Sequence, residues 1–326
     1  LEAIWAMNKS VVILVNGEVL ADRNDRTIAS QRDNARILAN GLAPILTSDL
    51  QVVMLHGNKP QVGFVLQRSE LASHALHPIP LDVCGADTQG ATGYMLAQAV
   101  KNALTERQVE REVMSVVTQT LVDDDDPYFN EPTKAIGPYF DRITAEQHRQ
   151  TRGWDMVLEP GRGYRRTVPA PAPLEIIEMN SIAHLARSGT IVIAGGGGGI
   201  PVVRTAGGQL QGVEAVVDTD QVAFMIANNL KASVMLMVIE RNDKFALSRL
   251  SAEQAHHLSL IELKTFLENE SPGSNMVRAK LNAAASFLEN GGEQVIISTL
   301  RKLPLALIDK GGLRIGARET PLQLLA

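Results

Sequence analysis

Cysteine is nearly absent from this chain. One thiol, Cys84, among 326 residues cannot close an intramolecular disulfide, so the fold must hold by burial rather than by cross-links, as is usual in the cytoplasm. No set of Cys and His falls at metal-ligand spacing, which argues against a structural zinc centre. The adjacent pair His256-His257 lies in a polar helical stretch and reads as surface. Aromatics are scarce, at 4% of the chain, and with a formal net charge of -5 there is no basic stripe interleaved with them. A nucleic-acid partner is therefore not expected. Long apolar runs are missing as well: the longest uncharged stretch, Ser188 to Val203, is too short and too glycine-rich for a membrane span. Nor does the chain carry a Gly-x-x-x-x-Gly-Lys-Ser/Thr loop, a nucleophile elbow, a tandem repeat or a low-complexity tract.

What is present reads as an α/β protein with a large core. Apolar runs at Ser10–Leu14, Val52–Leu55, Val113–Val122, Thr190–Ala194, Val213–Val217, Val234–Ile239 and Gln294–Ser298 predict strands, several of them buried on both faces. Helical patterns cover Ile28–Ala39, Val62–Ala72, Ala91–Thr105, Leu174–Ser188, Asp220–Asn229 and Met276–Asn290. The alternation predicts a mainly parallel sheet with helices on both faces and ligands gathered beyond the carboxyl ends of the strands. From Asp123 to Pro173 the rhythm breaks into Pro, Gly, Asp and Arg. The domain expected is thus 7–122 with 174–326, interrupted by an inserted subdomain at 123–173. Residues 1–6 precede Met7 and are set apart as an expression remnant. The run Asp123–Asp126 reads as a solvated turn.

Two segments carry chemistry. His56-Gly57-Asn58-Lys59-Pro60-Gln61-Val62-Gly63 passes from a strand through a short turn into a helix, a layout that offers backbone N–H groups to an anion. Gly195 to Gly199 follow directly on another strand. Five residues without Cβ let the backbone approach a ligand, at a cost in conformational entropy that a strand end does not otherwise justify. The run is not the Gly-x-Gly-x-x-Gly of a dinucleotide fold, because no ribose-binding acid follows at the expected interval.

These segments occur in order with Pro80-Leu81-Asp82-Val83-Cys84-Gly85, Thr88-Gln89-Gly90-Ala91-Thr92-Gly93-Tyr94, Asp126-Pro127-Tyr128-Phe129, Pro132-Thr133-Lys134-Ala135-Ile136-Gly137-Pro138, Gly161-Arg162-Gly163-Tyr164-Arg165-Arg166 and Gly212 to Asp218. As an ordered set spanning Ser10 to Leu300, they resemble the carbamate kinases of the amino acid kinase superfamily. The resemblance implies a three-layer α/β/α sandwich with a mainly parallel sheet and a small protruding subdomain, a homodimer, and phosphoryl transfer between ATP and carbamate with Mg2+. It implies that Gly57, Asn58, Gly196, Gly197 and Gly198 hold carbamate or carbamoyl phosphate. Lys134 would reach in from the protruding subdomain to neutralise the phosphoryl oxygens. Asp220 would orient a lysine or approach the metal shell, while Gly17 and Lys280 would meet the nucleotide. Arg278 competes for the place of Lys280, because Gly273-Ser274-Asn275-Met276-Val277-Arg278-Ala279-Lys280 is two residues longer than the corresponding family segment.

The chain also departs from that pattern. Asn16-Gly17-Glu18 stands for glycine-glycine-asparagine, and Val217-Asp218-Thr219-Asp220 for a segment with lysine in place of Thr219. Val238-Ile239-Glu240-Arg241-Asn242 stands for leucine-threonine-glycine-valine-aspartate, and Lys59 for glycine. A carboxylate at Glu18 repels an anion, and the lost lysine removes charge stabilisation. Lys59 either brings a new cation to the substrate site or points to solvent, the second being preferred. Three readings are expected in this order: a slow or altered ATP:carbamate phosphotransferase, an inactive binding or regulatory homologue, and a kinase of another small carboxylate.

Overall fold

In the computed structural model, residues 9–21, 25, 27–240, 257–269 and 275–316 are described. The expectations for residues 1–6, for Arg241-Asn242, for His256 and for Gly273-Ser274 lie outside them. Apolar runs that the sequence offers as strands assemble into an eight-stranded sheet in the order His257–Leu258, Leu313–Gly316, Gln294–Thr299, Val234–Ile239, Ser10–Val15, Gln51–His56, Ile191–Ile193, Val113–Ser115. All its neighbours are parallel except Leu313–Gly316 against Gln294–Thr299.

Side chains that alternate along these strands feed two separate cores. Val11, Ile13, Val15, Met54, Ile193 and Leu236 face one helical layer. Val12, Leu14, Val53, Leu55, Val192 and Met237 face the other. The α/β/α sandwich follows directly: the central strands are apolar on both sides because both faces are covered.

A four-stranded sheet, Leu210–Gly212, Ile200–Arg204, Gln119–Val122 and Pro173–Ile176, lies beyond the carboxyl ends of the central strands. A three-stranded antiparallel sheet, Lys134–Phe140, Gly163–Val168 and Asp155–Glu159, stands apart with the helix Arg142–Arg152. It is seated on the helix Lys59–Ala72 through Ile136 and Val168 packed with Val62, Leu81 and Cys84. Burial pushes the Cys84 thiol up to about 11. Ion pairs tie this small sheet and its helix to the rest, the shortest being Arg152 to Glu70 and Arg166 to Glu214, each at 2.7 Å.

Four elements differ from expectation. Val113–Val122 is two strands, not one, because the Gln89 side chain takes the pairing positions of Thr118: its Nε2 donates to the Thr118 carbonyl at 3.0 Å and its Oε1 accepts from the Thr118 N–H at 2.7 Å. The chain therefore leaves one sheet and enters another. Val213–Val217 is irregular, its N–H groups going to scattered carbonyls, Val213 to Pro201 in the strand Ile200–Arg204 at 3.1 Å and Val216 to Pro169 at 3.0 Å. The expected helix at Leu174 begins only at Met179, since Pro173–Ile176 pairs antiparallel with Gln119–Val122. The helix expected from Ala91 already starts at Leu81 and runs to Thr105.

Candidate active site

The strands Ser10–Val15 and Gln51–His56 are parallel neighbours in register, Val15 opposite His56, so the turns that follow them lie side by side. The Gly57 N–H donates to the Val15 carbonyl at 2.8 Å. A Cβ on Gly57 would stand 2.7 Å from the Gly17 nitrogen, and one on Gly17 would stand 3.0 Å from the Gly57 carbonyl oxygen. Glycine is required at both by this close passage of backbones rather than by dihedral freedom. Asn58 then opens the helix Lys59–Ala72 without capping it. Its side-chain amide instead donates to Thr88 Oγ1 at 2.9 Å and covers Gly197, where a Cβ would collide with it.

The strand Ile191–Ile193 delivers the glycine loop to the same place. Gly197 and Gly198 hold φ of 67° and 89°, the left-handed region that other residues enter only with strain. Two threonine hydroxyls fix the loop: Thr118 Oγ1 accepts from the Gly195 N–H at 2.9 Å, and Thr120 Oγ1 donates to the Gly198 carbonyl at 2.7 Å. Among the described residues the N–H groups of Gly196 and Gly197 have no acceptor. The His56 ring closes the floor, with Nε2 where a Gly196 Cβ would sit, 2.6 Å away. Burial pushes its pKa down to about 4, against a weak pull from the Gly57 carbonyl, so the ring is neutral near pH 7.

Charge enters from the opposite wall. Asp218 caps the helix Thr219–Leu230, its Oδ1 accepting from the Asp220 N–H at 2.9 Å. Its other oxygen lies 3.8 Å from Nζ of Lys134, the first residue of the small sheet, whose side chain is half exposed. Asp220 is buried and accepts from Lys280 Nζ at 2.7 Å. Burial raises the Asp220 carboxyl above its ordinary value, and the Lys280 ammonium opposes that rise. Arg278 points elsewhere, donating to the Leu267 carbonyl at 2.7 Å on the surface. The Asp220 partner is thus Lys280 alone of the two.

The residues singled out in the sequence form one run of contacts: Gly17 against Gly57, Asn58 over Gly197, Gly198 against the Val217 carbonyl, and from there Asp218 to Lys134 and Asp220 to Lys280. Lys59 is exposed, as the preference for solvent expects. It also lines a cleft of about 660 Å³ with Glu18, Tyr139, Glu159, Arg162 and Arg165. Surrounding protein pushes its pKa down; Arg165 and Lys134 add to that, and Glu18 and Glu159 oppose it. Sequence reading missed Thr118, Thr120 and Asp218. The first two sit in what reads as a continuous strand, and their role depends on the Gln89 interruption; Asp218 was legible as the acid that opens a helical pattern.

The arrangement can bind a small anion on backbone N–H groups, under an amide, with an ammonium to one side. Residues 9–298 match the Amino acid kinase family. The chain is 37% identical over 314 residues to the carbamate kinase of Pyrococcus horikoshii, covering 95% of this chain and 99% of that one. It is 38% identical over 317 residues to the carbamate kinase-like protein YahI of Escherichia coli, covering 95% and 99% respectively. The solved structure of carbamate kinase from Giardia lamblia bound to AMP-PNP superposes with a TM-score of 0.86 at 30% identity, over 95% of this chain and 99% of that one.

Proposed function

Because the chain belongs to the amino acid kinase family, and within it to the carbamate kinases, we propose that it transfers a phosphoryl group between ATP and carbamate, more slowly than its relatives. The observation that carries this reading is the meeting of the two open N–H groups at Gly196 and Gly197 with Asn58, beside Lys134. Carbamate brings its own anionic oxygen. As that oxygen bonds to the γ-phosphorus, the bond from phosphorus to the ADP oxygen breaks and ADP leaves with the electron pair; no proton has to move. The protein's task is to hold two anions in line and offset their charge.

In this reading Gly57, Asn58 and Gly196 to Gly198 hold carbamate and the transferred group. Lys134 leaves Asp218 to meet the phosphoryl oxygens, a small cost for a 3.8 Å pair whose lysine is half exposed. Gly17 and Lys280 meet the nucleotide phosphates, with Asp220 positioning Lys280. Mg2+, when bound with the nucleotide, supplies charge neutralisation; Asp218 is the carboxylate suited to join the phosphate oxygens in holding it, since Asp220 is committed to Lys280. Residues 123–173 act as the protruding subdomain that carries Lys134, in a cytoplasmic homodimer.

Glu18 and Thr219 are the reasons for slow turnover. ATP formation from ADP, Mg2+ and carbamoyl phosphate tests the proposal: turnover that is measurable but well below that of the Pyrococcus relative is expected. Absence of any ATP would overturn it and leave the second reading, a binding homologue, which calorimetry with ATP and carbamoyl phosphate then addresses.

A further inference from the structure

The cleft that opens at Glu18 and Lys59, the neighbours in the chain of Gly17 and Asn58, is out of proportion to carbamate. At about 660 Å³ it falls within the roughly 300–1,000 Å³ range of sites for much larger ligands. Its walls come from different parts of the chain. Glu18, Lys59, Pro60, Gly63 and Phe64 form one side, and Tyr139, Glu159, Arg162 and Arg165 the other. On the second wall the groups are mostly used up on one another: Tyr139 donates to Glu159 at 2.8 Å, Arg162 donates to the Tyr139 hydroxyl at 3.0 Å, and Arg165 donates to Glu159 at 3.1 Å.

Two cationic donors are left over. Lys59 makes no hydrogen bond or ion pair within 4 Å among the described residues, and the Arg165 Nε is buried without an acceptor. An unsatisfied buried donor is costly, and a guanidinium pairs well with a carboxylate or a phosphate. Lys59 directly follows Asn58 and Glu18 directly follows Gly17, so the cleft begins one residue away from two residues of the anion site. Glu18 on the same wall sets an upper limit on charge, since it repels a distal phosphate more than a single carboxylate.

We propose that Lys59 and Arg165 form a second anion subsite, which takes the distal carboxylate of a dianionic acceptor larger than carbamate. This deepens the phosphotransferase reading and rests on it. The near carboxylate-type oxygen bonds to the γ-phosphorus, the bond to ADP breaks, and the distal carboxylate stays on Lys59 and Arg165 throughout. The acceptor class is a short dicarboxylate or a carbamate carrying a carboxylate.

The test is equilibrium binding of succinate against propionate, its one-carboxylate counterpart, followed by ligand-observed NMR on the full chain. Succinate is expected to bind at least ~10-fold more tightly, the factor that corresponds to about 1.4 kcal/mol. Lys59→Met is expected to erase that difference and Lys59→Arg to restore it, with both variants unfolding at the wild-type temperature. Equal binding of the two acids, or a difference that survives Lys59→Met, overturns the subsite. If Lys59→Met unfolds early, Arg165→Gln is read the same way. Failure of the phosphotransferase reading looks different: no ATP forms from carbamoyl phosphate and ADP, yet succinate keeps its advantage.

Discussion

The glycine loop and the charged cleft are built on opposite terms. Around Gly196 to Gly198 nearly every contact is made by backbone or by a short side chain, and added Cβ atoms at these positions would strike His56, Asn58 or the Val217 carbonyl. The cleft is lined by the ends of long side chains, among them Glu18, Lys59, Glu159, Arg162 and Arg165. A site fixed by close packing admits few substitutions, because interiors transmit strain. A site fixed by charge at the surface can be retuned with little cost to the fold. The departures at Glu18 and Lys59 fall on the charged side, while Gly17, Gly57 and Gly196 to Gly198 are kept on the packed side. Glu18 and Lys59 change charge where a change is structurally cheap.

The largest expected effect lies at the buried exception to this division. Lys280→Met leaves the Asp220 carboxyl buried with no counter-charge and should lower stability by about 3–5 kcal/mol, measured by denaturant unfolding at pH 7. The sign of its pH dependence follows from the raised pKa of Asp220. A carboxyl whose folded pKa lies above its unfolded value destabilises the fold at high pH and ceases to do so below the unfolded value. The deficit of the variant should therefore shrink as pH falls from 7 toward 4. A deficit that is small at pH 7, or flat with pH, would mean that the pair contributes no more than a surface contact.

Asp220 and Lys280 also mark how far sequence could reach. The strands Ser10–Val15 and Val234–Ile239 were legible because Val11–Val15 and Val234–Ile239 are unbroken apolar runs buried on both faces. The first ten residues of Leu81–Thr105 were not, since Gly85 and Gly90 read as breaks. The nearby Gly93 has a packing reason: a Cβ there would collide with the Ser115 hydroxyl of the neighbouring strand. The split of Val113–Val122 had no local signal at all, because the cause is Gln89, twenty-nine residues before Thr118 in the chain. In the site, glycine runs and the resemblance named the loop residues. The choice of Lys280 over Arg278 needed three dimensions, for both lie on one helix, Asn275–Glu289, and only its orientation separates buried from exposed.

Lys134 tests the charged side. Lys134→Met should reduce kcat by ~10²–10³, the usual loss for one donor to a developing negative charge. Stability should move by no more than about 0.5 kcal/mol, since the pair with Asp218 is 3.8 Å long and half exposed on its lysine side. Turnover kinetics and thermal unfolding of the same preparation separate the two quantities. A large loss of stability would place Lys134 with the packed region and remove its freedom to swing from Asp218 to a substrate.

Gly197→Ala tests the packed side. The left-handed backbone alone costs about 1–2 kcal/mol, and the added methyl must also displace the Asn58 amide from Thr88. Gly63→Ala is the control: it lies in the helix Lys59–Ala72 with nothing within 4 Å of the added atom, and should gain up to about 1 kcal/mol from helix propensity. Binding of carbamoyl phosphate should weaken in the first variant and hold in the second. Equal behaviour would dissolve the contrast between the two regions.

The smallest expected effect is also the one that asks whether charge limits the rate. Glu18→Asn removes a carboxylate beside the backbone of Gly17, and Thr219→Lys restores an ammonium in the first turn of Thr219–Leu230. Together they should raise ATP formation from carbamoyl phosphate by about tenfold, or about 1.4 kcal/mol of barrier. The lysine also opposes the positive end of its helix, so a stability loss of about 0.3–1 kcal/mol accompanies the gain. Each single variant discriminates further. If Glu18→Asn alone supplies the rise, repulsion was the obstacle; if only the double variant does, a cation was missing. If neither raises the rate, slow turnover does not originate in the charges of the open side, and the acceptor rather than the phosphoryl site has changed.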